Sequence, residues 1–178
     1  MKMPINAGQR LVLSVTIIGA LAGCGPTVGL NPNVSHSGYD GAKVVTINGH
    51  GNACESMVCT GLGAQWRSNA PNQSILVVYV FNHITGITGA QIKVDGKEYD
   101  LNAMQPFTNF SEFAAPVTES RKGFVVPTEL IRKIVASKRT WLRVQTTGGY
   151  VEDAVIDGAT DSKAYHALKR FLADVDTK

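Results

Sequence analysis

Apolar positions along this chain follow two periods, and the switch between them outlines the fold. Residues 43–48 (KVVTIN) form a short β-branched run, 62–68 (LGAQWRS) a weaker one, and 74–83 (SILVVYVFNH) a continuous apolar run between Pro71-Asn72 and Gly86. An unbroken run of that length with turn residues on both sides predicts a central buried strand. Residues 91–94 and 97–101 flank Asp95-Gly96, the two-residue turn favoured in type I′ hairpins, with Ile92, Val94, Tyr99 and Leu101 pointing inward by alternation. Further strands are predicted over 122–126, 140–147 and 150–156, the last two joined by a turn at Gly148-Gly149.

The period lengthens after Pro127, whose fixed φ suits the first turn of a helix. Leu130, Ile131, Ile134 and Val135 share one face, Thr128 offers a cap and Glu129 an acid at the N-terminus, so a helix is expected over about 127–138. A second helix is expected over 162–176, capped by Asp161-Ser162, with Ala164, Leu168, Phe171 and Val175 forming one stripe. Strands at short spacing followed by two late helices predict an α+β domain built on a mostly antiparallel, β-sandwich-like sheet. A parallel sheet would need crossover helices between 43 and 101, and the pattern there holds none.

The N-terminus reads differently. Residues 1–10 are polar and basic, and 11–22 (LVLSVTIIGALA) are apolar, the order of an export signal. A run of 12 is too short to span a bilayer core of about 30 Å, which needs roughly 20 residues of helix. It ends in Leu21-Ala22-Gly23-Cys24, which resembles the lipobox of bacterial lipoproteins. The resemblance implies a signal peptide over 1–23, cleavage before Cys24, and acylation of Cys24 as the new N-terminus, with several acyl chains making attachment effectively permanent. Gly25 in place of an aspartate implies the outer membrane, with the domain facing the periplasm. Residues 24–42 would be the lipidated end and a tether rich in Gly, Pro and Asn, about 23 Å in r.m.s. reach, and 43–178 a single globular domain.

Composition adds bounds. The 178 residues are 44% hydrophobic, which excludes disorder and a multi-pass membrane protein. Removing 1–23, with Lys2 and Arg10, takes the 17 basic side chains to 15 against 14 acidic, so no polyanionic partner is implied by overall charge. The remaining pair, Cys54 and Cys59, is expected to be a disulfide in an exported protein, closing a six-residue loop worth roughly 2 kcal/mol.

Chemistry is sparse in the sequence. It lacks G-x-S-x-G, H-E-x-x-H, a P-loop and an EF-hand loop. Asn48-Gly49-His50-Gly51-Asn52 reads as a flexible turn rather than a phosphate loop, since no helix pattern follows it. His36, His50, His83 and His166 are scattered, so no metal site is expected. Glu152, Asp153, Asp157 and Asp161 lie close together but read as a solvated edge, because neighbours on a strand face opposite ways. Seven basic residues between 121 and 143 face only Glu129. Within them Arg132, Lys133, Lys138 and Arg139 form a candidate patch for an anionic envelope component or acidic protein. No aromatics interleave as in a nucleic-acid groove. The expectation is a non-catalytic, cofactor-free, lipid-anchored protein that binds a periplasmic protein or envelope component. The alternatives are an envelope hydrolase or transferase using distant residues such as His50, His83 and Asp153, and a small-ligand carrier.

Overall fold

A computed structural model describes residues 31–104, 108–114 and 117–177; the signal, the lipobox and Cys24 lie outside the described residues. Along the chain run β1 (Asn33–His36), β2 (Lys43–Gly51), β3 (Cys59–Arg67), β4 (Gln73–Phe81), β5 (Ile87–Val94), β6 (Lys97–Asp100), β7 (Asn102–Ala103), β8 (Asn109–Ala114) and β9 (Val117–Pro127). Then follow α1 (Thr128–Ala136), β10 (Arg139–Thr146), β11 (Gly149–Asp157), β12 (Thr160–Asp161) and α2 (Lys163–Asp176).

The strands build two antiparallel sheets, and the expected α+β sandwich is the fold. The larger runs β1-β2-β3-β4-β9-β7, with β8 also on β9, and the smaller runs β12-β11-β10-β5-β6. β4, the continuous apolar run, is central, paired along its length with β3 and β9. Its side chains at Leu76, Val78 and Val80 face the core and those at Ile75 and Val77 the outer surface. The Asp95-Gly96 hairpin forms as predicted, with φ of 44° and 89° at its two turn residues, the left-handed pair a type I′ turn requires.

One hydrophobic cluster joins the inner faces of both sheets to both helices, from Val45, Leu62 and Phe124 on one side to Ile92, Leu142 and Val144 on the other. The stripe Ala164, Leu168 and Phe171 of α2 is fully buried in it, and α2 lies on β2 and β3 and touches α1. Among the described residues, no helix is long and apolar enough to cross a membrane.

Four expectations are corrected. The tether is expected to run to residue 42, yet 33–36 form β1 against β2, with Val34 opposite Val45. Backbone pairing to an edge orders this exposed segment without an apolar face of its own. Pro127, not Thr128, is the N-cap of α1, and the Thr128 hydroxyl donates instead to Pro71 O at 3.0 Å. In α2 the cap is Ser162 alone, accepting from the Tyr165 N–H at 3.1 Å, while Asp161 meets His166. The Gly-rich 48–52 run is not a free turn: Asn48 and Gly49 lie in a bulge of β2, and pairing resumes at His50 and Gly51.

The bulge explains the glycines. A Cβ at Gly49 would lie 2.7 Å from the Tyr79 ring, and one at Gly63 would lie 2.7 Å from Ile47 O and 3.0 Å from Asn48 C. At Gly61 the Phe81 ring and His50 O occupy the same space. Tyr79 and Phe81 stack at 5.4 Å across this glycine-lined surface. Rings thus cover backbone that no larger residue would allow to approach.

Gly63→Ala therefore forces a methyl group against the β2 backbone and should cost about 1–3 kcal/mol. Gly148→Ala, with nothing within 4 Å of the added carbon, should change stability by less than about 0.5 kcal/mol. Urea unfolding of the two variants checks the contrast.

Candidate functional site

Two features concentrate polar groups: a buried junction between the sheets and an open concavity on the outer face of the smaller sheet. The junction lies where β3 and β11 approach. Asp153 Oδ2 accepts from the Thr60 N–H and from the Thr60 hydroxyl, both at 2.7 Å, and Asn52 Nδ2 donates to Thr60 Oγ1 at 2.9 Å. Thr60 is fully buried and Asp153 is 6% exposed. The donor order runs from amide to hydroxyl to carboxylate, so the Thr60 proton has one direction to point. The Ala53 N–H also donates to Ala154 O at 2.8 Å, a backbone bridge beside the same pair.

Cys54 and Cys59 form a disulfide, as expected for the pair, and it lies against this junction. Their sulfurs and an Asp153 oxygen fall within 4.8 Å of one another. With the sulfurs bonded to each other, the group is a staple and not a ligand set. Asn52 Oδ1 is buried without a hydrogen-bond partner. Burial pushes the Asp153 carboxyl above its usual range, and the two Thr60 bonds pull it back only in part. A second tie crosses between β9 and β5, where Lys122, 5% exposed, donates from Nζ to Ile87 O at 2.8 Å. Close by, Ser120 Oγ accepts from the Thr85 N–H and donates to His83 O.

The four acids expected along a solvated edge do not share one. Glu152 pairs with Arg143, Asp157 with Arg139, and Asp161 with His166, while Asp153 turns inward to Thr60. Period two explains the split between 152 and 153, but the depth of Asp153 comes from β3, which the local pattern does not contain. The histidines of the enzyme alternative sit on other elements: His50 is on β2, with Nδ1 bonded to Asn48 O at 2.8 Å, and His83 is exposed beyond the end of β4.

The basic run is likewise divided. Lys122 is interior. Arg132 forms a two-bond pair with Asp176 of α2, which raises the guanidinium and lowers the carboxyl from their ordinary values. Arg139 meets Asp157 at 3.1 Å. Lys133 and Lys138 are exposed, and no ion pair joins them among the described residues.

The concavity, about 310 Å³, lies over β10, β5 and β11 on the face turned from the core. Register sets its contents: Glu98, Lys93, Trp141 and Ala154 stand in one cross-strand row, and Asp100, Gln91, Arg143 and Glu152 in the next. Lys93 Nζ donates to Glu98 at 2.9 Å and lowers that carboxyl, Gln91 donates to Asp100 at 2.7 Å, and Arg143 pairs with Glu152. The half-buried indole of Trp141 lines the space, and its Nε1 donates to Asp157 Oδ2 at 2.9 Å. Sequence reasoning passed over Trp141 and Gln91, although a signal existed. In TWLRVQT the tryptophan alternates with Leu142 and Val144 and so falls on the polar face, where a large aromatic is out of place for a merely solvated surface.

A second concavity, about 330 Å³, lies on the outer face of the larger sheet between Tyr79, Arg121, Gln65 and Met104, over Gly123. Comparisons with family models, with curated proteins and with solved structures find no match for the chain.

The junction makes a signed prediction. Because the Asp153 pKa is raised on folding, its ionised form costs stability above the folded pKa, and that cost is relieved as pH falls toward the unfolded value near 3.9. The stability difference between wild type and Asp153→Asn should therefore shift in favour of wild type as pH drops from 7 to about 4. Asp153→Ala, which strands the Thr60 donors, should cost roughly 3 kcal/mol at pH 7. Urea unfolding across pH measures both.

Proposed function

We propose that this protein is a non-catalytic, lipid-anchored domain, held at the outer membrane through Cys24 and facing the periplasm, that binds an envelope component on the outer face of β10 and β5. The anchor rests on the signal and lipobox pattern of residues 1–24. The observation that carries the binding role is the Trp141 concavity. An aromatic side chain there lines an open, solvent-facing surface among polar side chains already fixed by partners, a combination that core packing does not require. The enzyme alternative has less support, since Asp153 Oδ2 is committed to Thr60, and its candidate histidines sit on other elements.

Both halves of the proposal are testable in cells. Cys24→Ala should release the chain from the membrane fraction and end incorporation of labelled palmitate; retention with label would overturn the anchor. A photo-crosslinking residue at position 91 should give an adduct in intact envelopes that the same residue at position 133 does not. An adduct at 133 alone would move the binding face to the basic segment and overturn the proposed one.

A further inference from the structure

The concavity over Trp141 also carries the chemical class of its ligand. The charged side chains that line it are each paired within the protein, Lys93 with Glu98, Arg143 with Glu152 and Arg139 with Asp157, while Asp100, beside them at the edge, accepts from the Gln91 amide. A phosphate or carboxylate would meet cations whose charge is already balanced by a partner, and an amine that met Glu98 or Glu152 would compete with the cation already there. An acyl chain is a poor fit for a different reason: the space is open on the solvent side and rimmed by ion pairs, so it would leave much of the chain wet.

What remains is a ligand that is neutral, flat on one side and rich in hydroxyls. The indole of Trp141 offers an apolar surface whose π face carries partial negative charge, complementary to the polarised C–H groups on one side of a pyranose ring. Its plane is held by the bond from Nε1 to Asp157, so little freedom is lost on binding. Around it, the Gln91 amide, the Glu98 and Glu152 carboxylates and the Arg143 guanidinium are planar groups with hydrogen-bonding capacity beyond the bonds they already make. A volume of about 310 Å³ is at the small end for ligand sites, suited to one ring and not to a large cofactor.

We infer that the outer face of β5, β10 and β11 is a carbohydrate site, in which Trp141 stacks on one neutral sugar ring of a glycan while Gln91 and the Arg143–Glu152 pair bond its hydroxyls. This deepens the proposed function and rests on its binding face. The ligand chemistry is shared by N-acetylhexosamine glycans and by plain hexose glycans, and the two are separated by the probes below.

The test uses the full-length chain in micelles of a sugar-free zwitterionic detergent, titrated with a β-1,4-linked N-acetylglucosamine tetramer, a glucose tetramer, inorganic phosphate and octanoate. The indole N–H resonances report directly: Trp141 should shift saturably with one or both sugars, while Trp66, bonded to Pro71 O within the core, stays still. Response to the first tetramer alone assigns the amino-sugar class, and to the second alone the hexose class. Gln91→Ala should weaken binding about threefold or more, and Trp141→Ala should abolish it. Trp141→Phe, which keeps a ring, should weaken binding and covers the case in which the alanine variant does not fold. No saturable shift at Trp141 with either sugar, equal affinity in Gln91→Ala and Trp141→Phe, or an equal response to phosphate or octanoate would overturn the inference. If the sugars fail while position 91 still crosslinks in envelopes, the sugar class falls and the binding face stands. If the sugars bind while position 91 does not crosslink, the site stands and its role in the envelope falls.

Discussion

The acceptance of two hydrogen bonds by Asp153 from Thr60 is the constraint around which the two sheets are arranged. Apolar contact between inner faces is non-directional and would tolerate sliding of one sheet over the other. A buried carboxylate facing a backbone N–H and a hydroxyl 93 positions away tolerates little, because loss of alignment leaves a charge unsolvated. The tie fixes β3 against β11 at one end, and Lys122 reaching Ile87 O fixes β9 against β5 elsewhere. The disulfide between Cys54 and Cys59 closes the short loop between Asn52-Ala53 and Thr60, the residues that meet at the junction. Polar ties of this kind select one packing arrangement, even where an apolar pair would contribute as much stability.

That arrangement determines what the outer faces present. With Leu142 and Val144 held inward, period two sends Trp141 and Arg143 outward, and antiparallel register sets Lys93 and Gln91 beside them. The site over β10 is therefore a consequence of strand register and not of loop conformation. Its side chains stand on paired backbone and are cross-braced by ion pairs, the rigid footing that recognition of a weakly contacting ligand needs. On the outer face of the larger sheet, the glycines beneath Tyr79 and Phe81 let rings lie against backbone.

Much of the fold was legible because it is local. Strand runs, the Asp95-Gly96 turn, the apolar stripe of α2 and the Ser162 cap each express a short-range rule in adjacent residues. What could not be read was set by partners far along the chain. Asp153 looks like any strand acid until Thr60 buries it, Lys122 looks like part of a basic surface until β5 crosses it, and 48–52 looks like a turn until Tyr79 and Phe81 cover its neighbourhood. The candidate site was half legible: alternation places Trp141 on a polar face, but the row that joins it to Lys93 and Glu98 depends on a pairing of β10 with β5 that no local pattern specifies. The edge strand β1 was missed for a related reason, since its order comes from the backbone of β2 and not from its own side chains.

Native-state hydrogen exchange tests the junction most directly, because the Thr60 and Ala53 amides donate to Asp153 and Ala154 across the sheets. If these bonds hold the sheets in register, both amides exchange only through global unfolding, with the same free energy of opening as the amides of Leu76 and Leu142 in the two sheet centres. Exchange of Thr60 and Ala53 by local opening, at a free energy several kcal/mol below that of Leu76 and Leu142, would contradict the account and leave apolar packing alone to hold the sandwich together.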